Sequence, residues 1–97
     1  MVALQQEAAR FAERIDRLTR ERETIRNEQK RIRENLQALG DRATEKDLRE
    51  RFVRTLNTQE DRLESIDKDI KEQTAGRDRC REEINQLLAS LEYEAAV

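Results

Sequence analysis

The chain has 97 residues, of which 43% are charged and 35% apolar, and it contains two Phe, one Tyr, no Trp and no Pro. So few large side chains exclude a layered globular core, and the periodic spacing of the apolar residues excludes a disordered charged tract. The 20 basic and 22 acidic residues are interspersed and give a net charge of −2, which leaves no basic field for a nucleic-acid backbone.

The single cysteine and the absence of histidine exclude an internal disulfide and the common metal-ligand sets, and they fit a reducing compartment, with the cytoplasm slightly favoured. No apolar run is long enough to span a membrane, and no signal peptide is recognisable. The helical pattern begins directly after Met1, Val2 and Ala3, so we expect the chain to be a fragment of a larger protein.

The first helical arm is predicted over about residues 3–39, where apolar residues recur in an unbroken heptad pattern. Its d positions are Leu4, Phe11, Leu18, Ile25, Ile32 and Leu39, and its a positions are Ala8, Ile15, Arg22, Gln29 and Leu36. A heptad repeat of this length predicts supercoiling against a partner helix.

A turn is predicted over residues 40–44. Gly40 is suited to end the first arm in the left-handed conformation, and Thr44 has the residue type of an N-cap, followed by Glu45 and Asp47. Because the connection is short, the two arms are expected to fold back on each other as one hairpin over residues 1–97. We expect the turn residues Gly40, Asp41 and Arg42 to be exposed to solvent.

The second arm is predicted over about residues 45–94 and continues the heptad pattern. Its a and d positions are Phe52, Leu56, Gln59, Leu63, Ile66, Ile70, Gln73, Arg77, Cys80, Ile84, Leu87 and Leu91. Leu48 lies one position off this pattern and is expected to cap the end of the core against Leu36 or Leu39.

An antiparallel register follows from matching a positions to d positions across a short turn. The predicted facing pairs are Leu36 with Phe52, Ile32 with Leu56, Gln29 with Gln59, Ile25 with Leu63, and Leu18 with Ile70. Two ion pairs beside the glutamines, Arg26 with Glu60 and Glu28 with Arg62, are expected to support this register.

Four polar residues at core positions have two interpretations each. Gln29 and Gln59 form either a register-setting layer of two mutually bonded amides or, less simply, a recognition site. Arg22 and Arg77 either pack their stems and reach outward, Arg22 toward Asp69 or Asp67, or they dock a partner carboxylate.

Cys80 is predicted to lie opposite Ala8 as a small buried hydrophobe, in preference to a reactive thiol. Gly76, opposite Ala12 with Ala8, Ala9 and Ala75 near, indicates either a close approach of the backbones or a hinge.

The open end of the hairpin is predicted to be an interaction surface, because the second arm runs past the start of the first. This leaves an apolar patch of Leu87, Leu88, Leu91 and Tyr93, with Val2 and Leu4 close by. Either a missing upstream segment or a second copy covers it, and in the isolated chain we expect two copies to meet and form a four-helix arrangement.

Two stretches of the sequence can be compared with a known family: Gln29-Lys30-Arg31-Ile32-Arg33-Glu34-Asn35-Leu36 and Arg51-Phe52-Val53-Arg54-Thr55-Leu56-Asn57-Thr58-Gln59-Glu60-Asp61-Arg62-Leu63-Glu64. They resemble the C-terminal helical region of bacterial mucoidy-inhibitor-like proteins of uncharacterised function. The resemblance covers roughly residues 25–70. It implies that the chain derives from a larger bacterial protein in which this hairpin carries no catalytic residue.

The fold class expected is therefore all-α, with two long helices in an antiparallel coiled-coil hairpin. The function expected is a non-catalytic spacer or protein–protein interaction module, with self-association through the open end. No catalytic residue, metal ligand, cofactor, small-molecule substrate, nucleic acid or membrane partner is expected. The alternative function is a nucleic-acid-binding arm like those of some tRNA-charging enzymes, and this alternative would require a basic face.

Overall fold

A computed structural model describes residues 1–40 and 42–96. Two α-helices account for nearly all of the described residues: α1, Val2–Ala38, and α2, Ala43–Ala96. The prediction of an all-α helical hairpin is confirmed. The expected exposure of Gly40 and Arg42 is observed, whereas Asp41 lies outside the described residues.

The end of α1 differs from the sequence prediction. Gly40 does not adopt a positive φ, so it does not close the helix in the left-handed conformation. Instead, the Leu39 N–H bonds to the Leu36 carbonyl in a tight final turn, and the Arg49 guanidinium donates to the Leu39 and Gly40 carbonyls at 3.4 and 3.1 Å. A side chain from α2 therefore satisfies two carbonyl groups of the connection that directly follows α1.

The start of α2 also differs. The helix begins at Ala43, one residue before the predicted N-cap Thr44, and the Arg42 carbonyl accepts the first helical bond, from the Lys46 N–H. The Glu45 carboxylate accepts a bond of 3.3 Å from the Arg42 N–H, which is the reach-back half of a capping box. A β-carbon on Gly40 would lie 2.7 Å from the Glu45 Oε2 atom, so a larger residue here would require the Glu45 side chain to shift.

The predicted a and d positions are the ones that the fold covers. Every such residue of α1, and every such residue of α2 as far as Ile84, is buried or half-buried. Leu48, assigned to the end of the core, is instead 39% exposed. The heptad pattern therefore identified the interior correctly as far as Ile84, whereas Leu48, which lies off the pattern, was wrongly placed at the end of the core.

The chain forms two compact units, which are described separately. The turn unit comprises Thr19–Asp67, and the open-end unit comprises Met1–Leu18 with Lys68–Val97. The turn unit contains the best-buried apolar side chains, Ile32, Leu63 and Ile66, and Ile66 has no exposed surface. Its cross-helix bonds, from Gln29 to Glu60 and from Arg22 to Asp67, fit the predicted register.

The open-end unit is organised around Phe11. A β-carbon on Gly76 would lie 2.5 Å from the Phe11 Cε1 atom, so the ring occupies the space that the glycine leaves. The Arg14 guanidinium lies 5.2 Å from the centre of the same ring and donates a bond of 3.0 Å to the Gln73 Oε1 atom. The sequence predicted that Gly76 would lie opposite Ala12 among small residues, but the side chain that meets it is the large aromatic ring of Phe11.

Candidate protein-interaction surface

The largest unexplained apolar feature is a row of three leucines on α2, called here the leucine stripe: Leu87, Leu88 and Leu91. Their side chains are 42%, 45% and 56% exposed. They follow Ile84, the last half-buried position of the heptad pattern. The predicted register places Val2, the first residue of α1, beside Gln86, so the stripe lies where α2 has no α1 residue opposite it.

The three leucines share one side of the helix. At 3.6 residues per turn, Leu87, Leu91 and Leu88 fall within about 100° of one another around the axis, the width of a typical apolar helix face. Tyr93, which the sequence analysis grouped with them, is 74% exposed but lies about 200° round the helix from Leu91. Tyr93 therefore belongs to a different face, and one contact cannot bury it together with the stripe.

Charged residues flank the stripe unequally. Arg79, Arg81, Glu82 and Glu83 lie before it in the sequence, and Glu92 and Glu94 lie after it, all of them exposed. The charges before the stripe are therefore of both signs, whereas those after it are acidic.

The glutamine layer of the turn unit is buried as predicted but is not bonded as predicted. Gln29 is 3% exposed and Gln59 9%. The Gln29 Nε2 atom donates to the Glu60 carboxylate at 2.9 Å, whereas the Gln59 Oε1 atom is buried without a hydrogen-bond partner. The two amides do not satisfy each other, because the charged neighbour is the stronger acceptor.

The two predicted ion pairs are replaced by others. Glu60 accepts from Gln29 and lies 3.8 Å from Arg33, and Glu28 lies 3.8 Å from Arg31 on its own helix. Arg62 binds Glu21 through two bonds of 2.9 and 2.7 Å, the fork geometry that arginine favours. These bonds from Arg62 hold the pKa of the Glu21 carboxyl below its usual value, despite slight desolvation.

The two arginines at core positions both bond to aspartates. Arg22 binds Asp67 at 3.0 Å, which was one of its two predicted partners. Arg77 binds the adjacent Asp78 at 3.3 Å. Their stems are largely covered while the guanidinium groups reach carboxylates, so the outward-reaching interpretation fits them better than a docking site does.

Cys80 is buried, as predicted. Burial raises the pKa of its thiol, and the neighbouring carboxylates of Glu7 and Glu83 raise it further. A thiol whose pKa is raised is mostly protonated at neutral pH and is a poor nucleophile. Cys80 therefore acts as a small core residue.

The surface depressions of the turn unit are open grooves. One of them is lined by Arg26, Arg33, Glu60 and Glu64 among others, so charges of both signs face solvent there. Such a groove does not enclose a small molecule in the way that binding sites usually do. In the described part of the chain, no three Cys, Asp or Glu residues are grouped so as to hold a metal ion.

Among the contacts that were not predicted are those of Arg49 with the chain after α1, of Gln29 with Glu60, and of Phe11 with Gly76. For the last, a sequence signal existed, because the predicted register puts a phenylalanine one residue from the position opposite a mid-helix glycine. The other two depend on which rotamer a long polar side chain adopts, and the spacing of residues does not specify this.

Comparison with protein-family models, with curated proteins and with solved structures gives no significant match to this chain. The resemblance to mucoidy-inhibitor-like proteins stays a prediction. Neither of the two described helices contains a segment apolar enough to cross a membrane.

Proposed function

We propose that the chain is a non-catalytic coiled-coil module for protein–protein interaction, and that the leucine stripe is its contact surface. The observation that supports the proposal most is the exposure of Leu87, Leu88 and Leu91 directly after a heptad pattern whose earlier positions are covered. Contiguous exposed apolar side chains at heptad positions are typical of a helix that receives another helix.

A second copy of the chain is the partner that we propose. The stripe is short, apolar and on one face, so two copies related by a two-fold axis bury the same three leucines on both sides. A second copy carries the same exposed leucines and can therefore serve as the partner.

The association is expected to be weak. Each leucine is already about half covered, so completing its burial contributes roughly 1 kcal/mol, or about 6 kcal/mol for two copies. Association itself costs at least about 4 kcal/mol. The surplus of at most about 2 kcal/mol corresponds to a dissociation constant in the millimolar range or weaker, so the dimer is expected only at high protein concentration.

The alternative, a nucleic-acid-binding arm, has less support. Arginines of the turn unit, among them Arg22, Arg33 and Arg62, lie within 4.0 Å of carboxylates. Basic side chains paired in this way are already neutralised locally, whereas binding to phosphates depends on unneutralised cations.

Sedimentation velocity over a concentration series tests the proposal. We expect a monomer–dimer equilibrium in the parent chain and only monomers in the variant with Leu87→Glu and Leu91→Glu. The matched control carries Ala89→Glu and Tyr93→Glu, which add the same charge to the same turns on other faces of α2, and it should still dimerise. A parent chain that is monomeric at every concentration, or a dimer that survives the two leucine substitutions, would contradict the proposal.

A further inference from the structure

We infer that the leucine stripe binds a basic amphipathic helix of another protein, and that it binds this helix more tightly than a second copy of the chain. The inference rests on the proposed function, because it takes the stripe as the contact surface, and it adds the chemistry of the partner. It follows from the carboxylates that border the stripe and from the lack of basic side chains beside them.

Three carboxylates border the stripe, and they lie on both of its edges. At 3.6 residues per turn, Glu83 and Glu94 fall within about 40° of Leu87, and Glu92 falls about 40° beyond Leu88. All three are exposed, and none of them forms an ion pair with a described side chain. A helix that lies on the stripe therefore meets carboxylates along both of its sides.

Basic side chains do not offset these charges. Residues 82–97 contain four Glu and no Lys or Arg. The nearest basic side chains on α2, Arg79 and Arg81, precede Leu87 by about 12 and 9 Å along the axis, and helix side chains lean toward the N-terminus, away from the stripe. In the described part of the chain, the amino group of Met1 is the other cation near the stripe, and it offsets one carboxylate at most.

The uncovered part of α2 sets the size of the partner. Ile84 is half-buried, whereas residues 87–95 are all exposed. These nine residues extend over about 12 Å, or two turns of helix. Because α1 begins at Val2, beside Gln86 in the predicted register, a short helix can cover this segment without displacing α1.

A second copy is the poorer partner because it brings the same carboxylates. Two stripes in contact place three carboxylates of one copy around the same small patch as three of the other, where like charges repel. A helix with Lys or Arg beside its apolar face replaces these repulsions with attractive pairs. Exposed ion pairs change an affinity by a few-fold each at most, so three of them give a difference of about tenfold.

Titration with designed peptides tests the inference. The probes are stapled helical peptides of about four turns, because stapling removes the cost of forming a short isolated helix. The leucine–lysine peptide carries leucines on one face and lysines along both edges of that face. The leucine–glutamate peptide has glutamates in place of the lysines, and the serine–lysine peptide has serines in place of the leucines.

Nuclear magnetic resonance spectra of the isotope-labelled chain, recorded below the concentration at which it dimerises, report binding residue by residue. We expect the leucine–lysine peptide to shift the amide signals of residues 87–95. Its affinity should exceed that of each of the other two peptides by about tenfold or more.

Neutral variants locate the charges that cause the preference. The test variant carries three substitutions: Glu83→Gln, Glu92→Gln and Glu94→Gln. It should bind the leucine–lysine and leucine–glutamate peptides equally. The matched control removes the same charge from exposed positions of the turn unit and should keep the preference: Glu23→Gln, Glu34→Gln and Glu50→Gln. Salt at about 1 M should also reduce the preference, because the screening length falls to about 3 Å.

The outcomes separate this inference from the proposed function. Equal affinities of the leucine–lysine and leucine–glutamate peptides for the parent chain would overturn the inference and leave the stripe as an apolar contact surface. Equal affinity of the serine–lysine peptide, signal shifts outside residues 87–95, or a preference that survives in the test variant would also overturn it, because the binding would then not depend on the stripe and its carboxylates. Absence of binding by every peptide would overturn it as well, whereas the proposed function fails only if sedimentation also shows no dimer of the parent chain.

Discussion

The Phe11 ring lies so close to Gly76 that a β-carbon on the glycine would be 2.5 Å from the Cε1 atom and 2.6 Å from the Cζ atom of the ring. Real β-carbons do not approach ring atoms so closely. The glycine, which costs α2 about 1 kcal/mol in helix propensity, is therefore a packing residue that admits an aromatic side chain.

Gly76→Ala is accordingly expected to destabilise the chain although alanine is the better helix former. Overpacking costs about 1–3 kcal/mol and opposes the propensity gain, so we expect a net loss of up to about 2 kcal/mol. Urea denaturation followed by circular dichroism measures it. Adding Phe11→Leu should recover part of the loss, and a Gly76→Ala variant more stable than the parent would contradict this account of the contact.

Replacing Gln59 by leucine is expected to stabilise the chain by about 1–3 kcal/mol, because a buried carbonyl oxygen without a hydrogen-bond partner is removed. Gln29→Leu should gain less, since it breaks the bond to Glu60. The double variant should be more stable than the parent but less specific in register. Thermal melts of the two single variants and the double variant make the comparison, and a double variant that melts below the parent would mean that the layer contributes stability.

The Glu21–Arg62 pair predicts a pH dependence. Because the pKa of Glu21 is lower in the folded chain than its ordinary value of 4.5, the folded state binds the proton less readily than the unfolded state does. The pair's contribution is therefore present above pH 4.5 and is lost as the pH falls through the folded pKa. The effect should be small, since both side chains are more than 40% exposed and the pair is screened by solvent.

Melting temperatures of the parent chain and of Glu21→Gln between pH 7 and pH 3 measure this contribution. The difference between the two should shrink toward acid pH. A constant difference over the whole range would mean that the carboxylate charge does not matter.

The register of the turn unit is testable by a disulfide. Cysteines at Ile25 and Leu63, placed in a Cys80→Ala background, should oxidise to an intrachain bond, because these positions face each other in the antiparallel register. Dilution distinguishes intrachain from interchain products on a non-reducing gel. A product that forms only between chains would indicate that the helices exchange partners between copies.

The sequence predicted the helices and the interior well because both follow from periodicity. An unbroken heptad pattern determines which side of each helix is covered, and this held from Leu4 to Ile84. The predicted partners of Glu60 and Arg62 were wrong because several charged groups are within reach of each of them. Differences of a few tenths of a kcal/mol then decide the pairing, and residue spacing cannot resolve them.

The surface was predicted in part for the same reason. The exposure of Leu87, Leu88 and Leu91 follows from the register, which the cross-helix bonds support. Tyr93 was wrongly grouped with the leucines, because side chains two residues apart on an α-helix point to opposite sides of it.

The capping of α1 by Arg49 has a consequence for the order of folding. The connection after the first helix is held by a side chain from the second, so this contact forms only when the chain has reversed direction. It closes a loop of only about ten residues, which is shorter, and so entropically less costly, than the loops closed by the cross-helix bonds of Gln29 and Arg22. We therefore expect folding to nucleate at the turn and the leucine stripe to become ordered last. In stopped-flow experiments, Arg49→Met should slow refolding more than it accelerates unfolding, whereas a substitution at Ile84 should do the opposite.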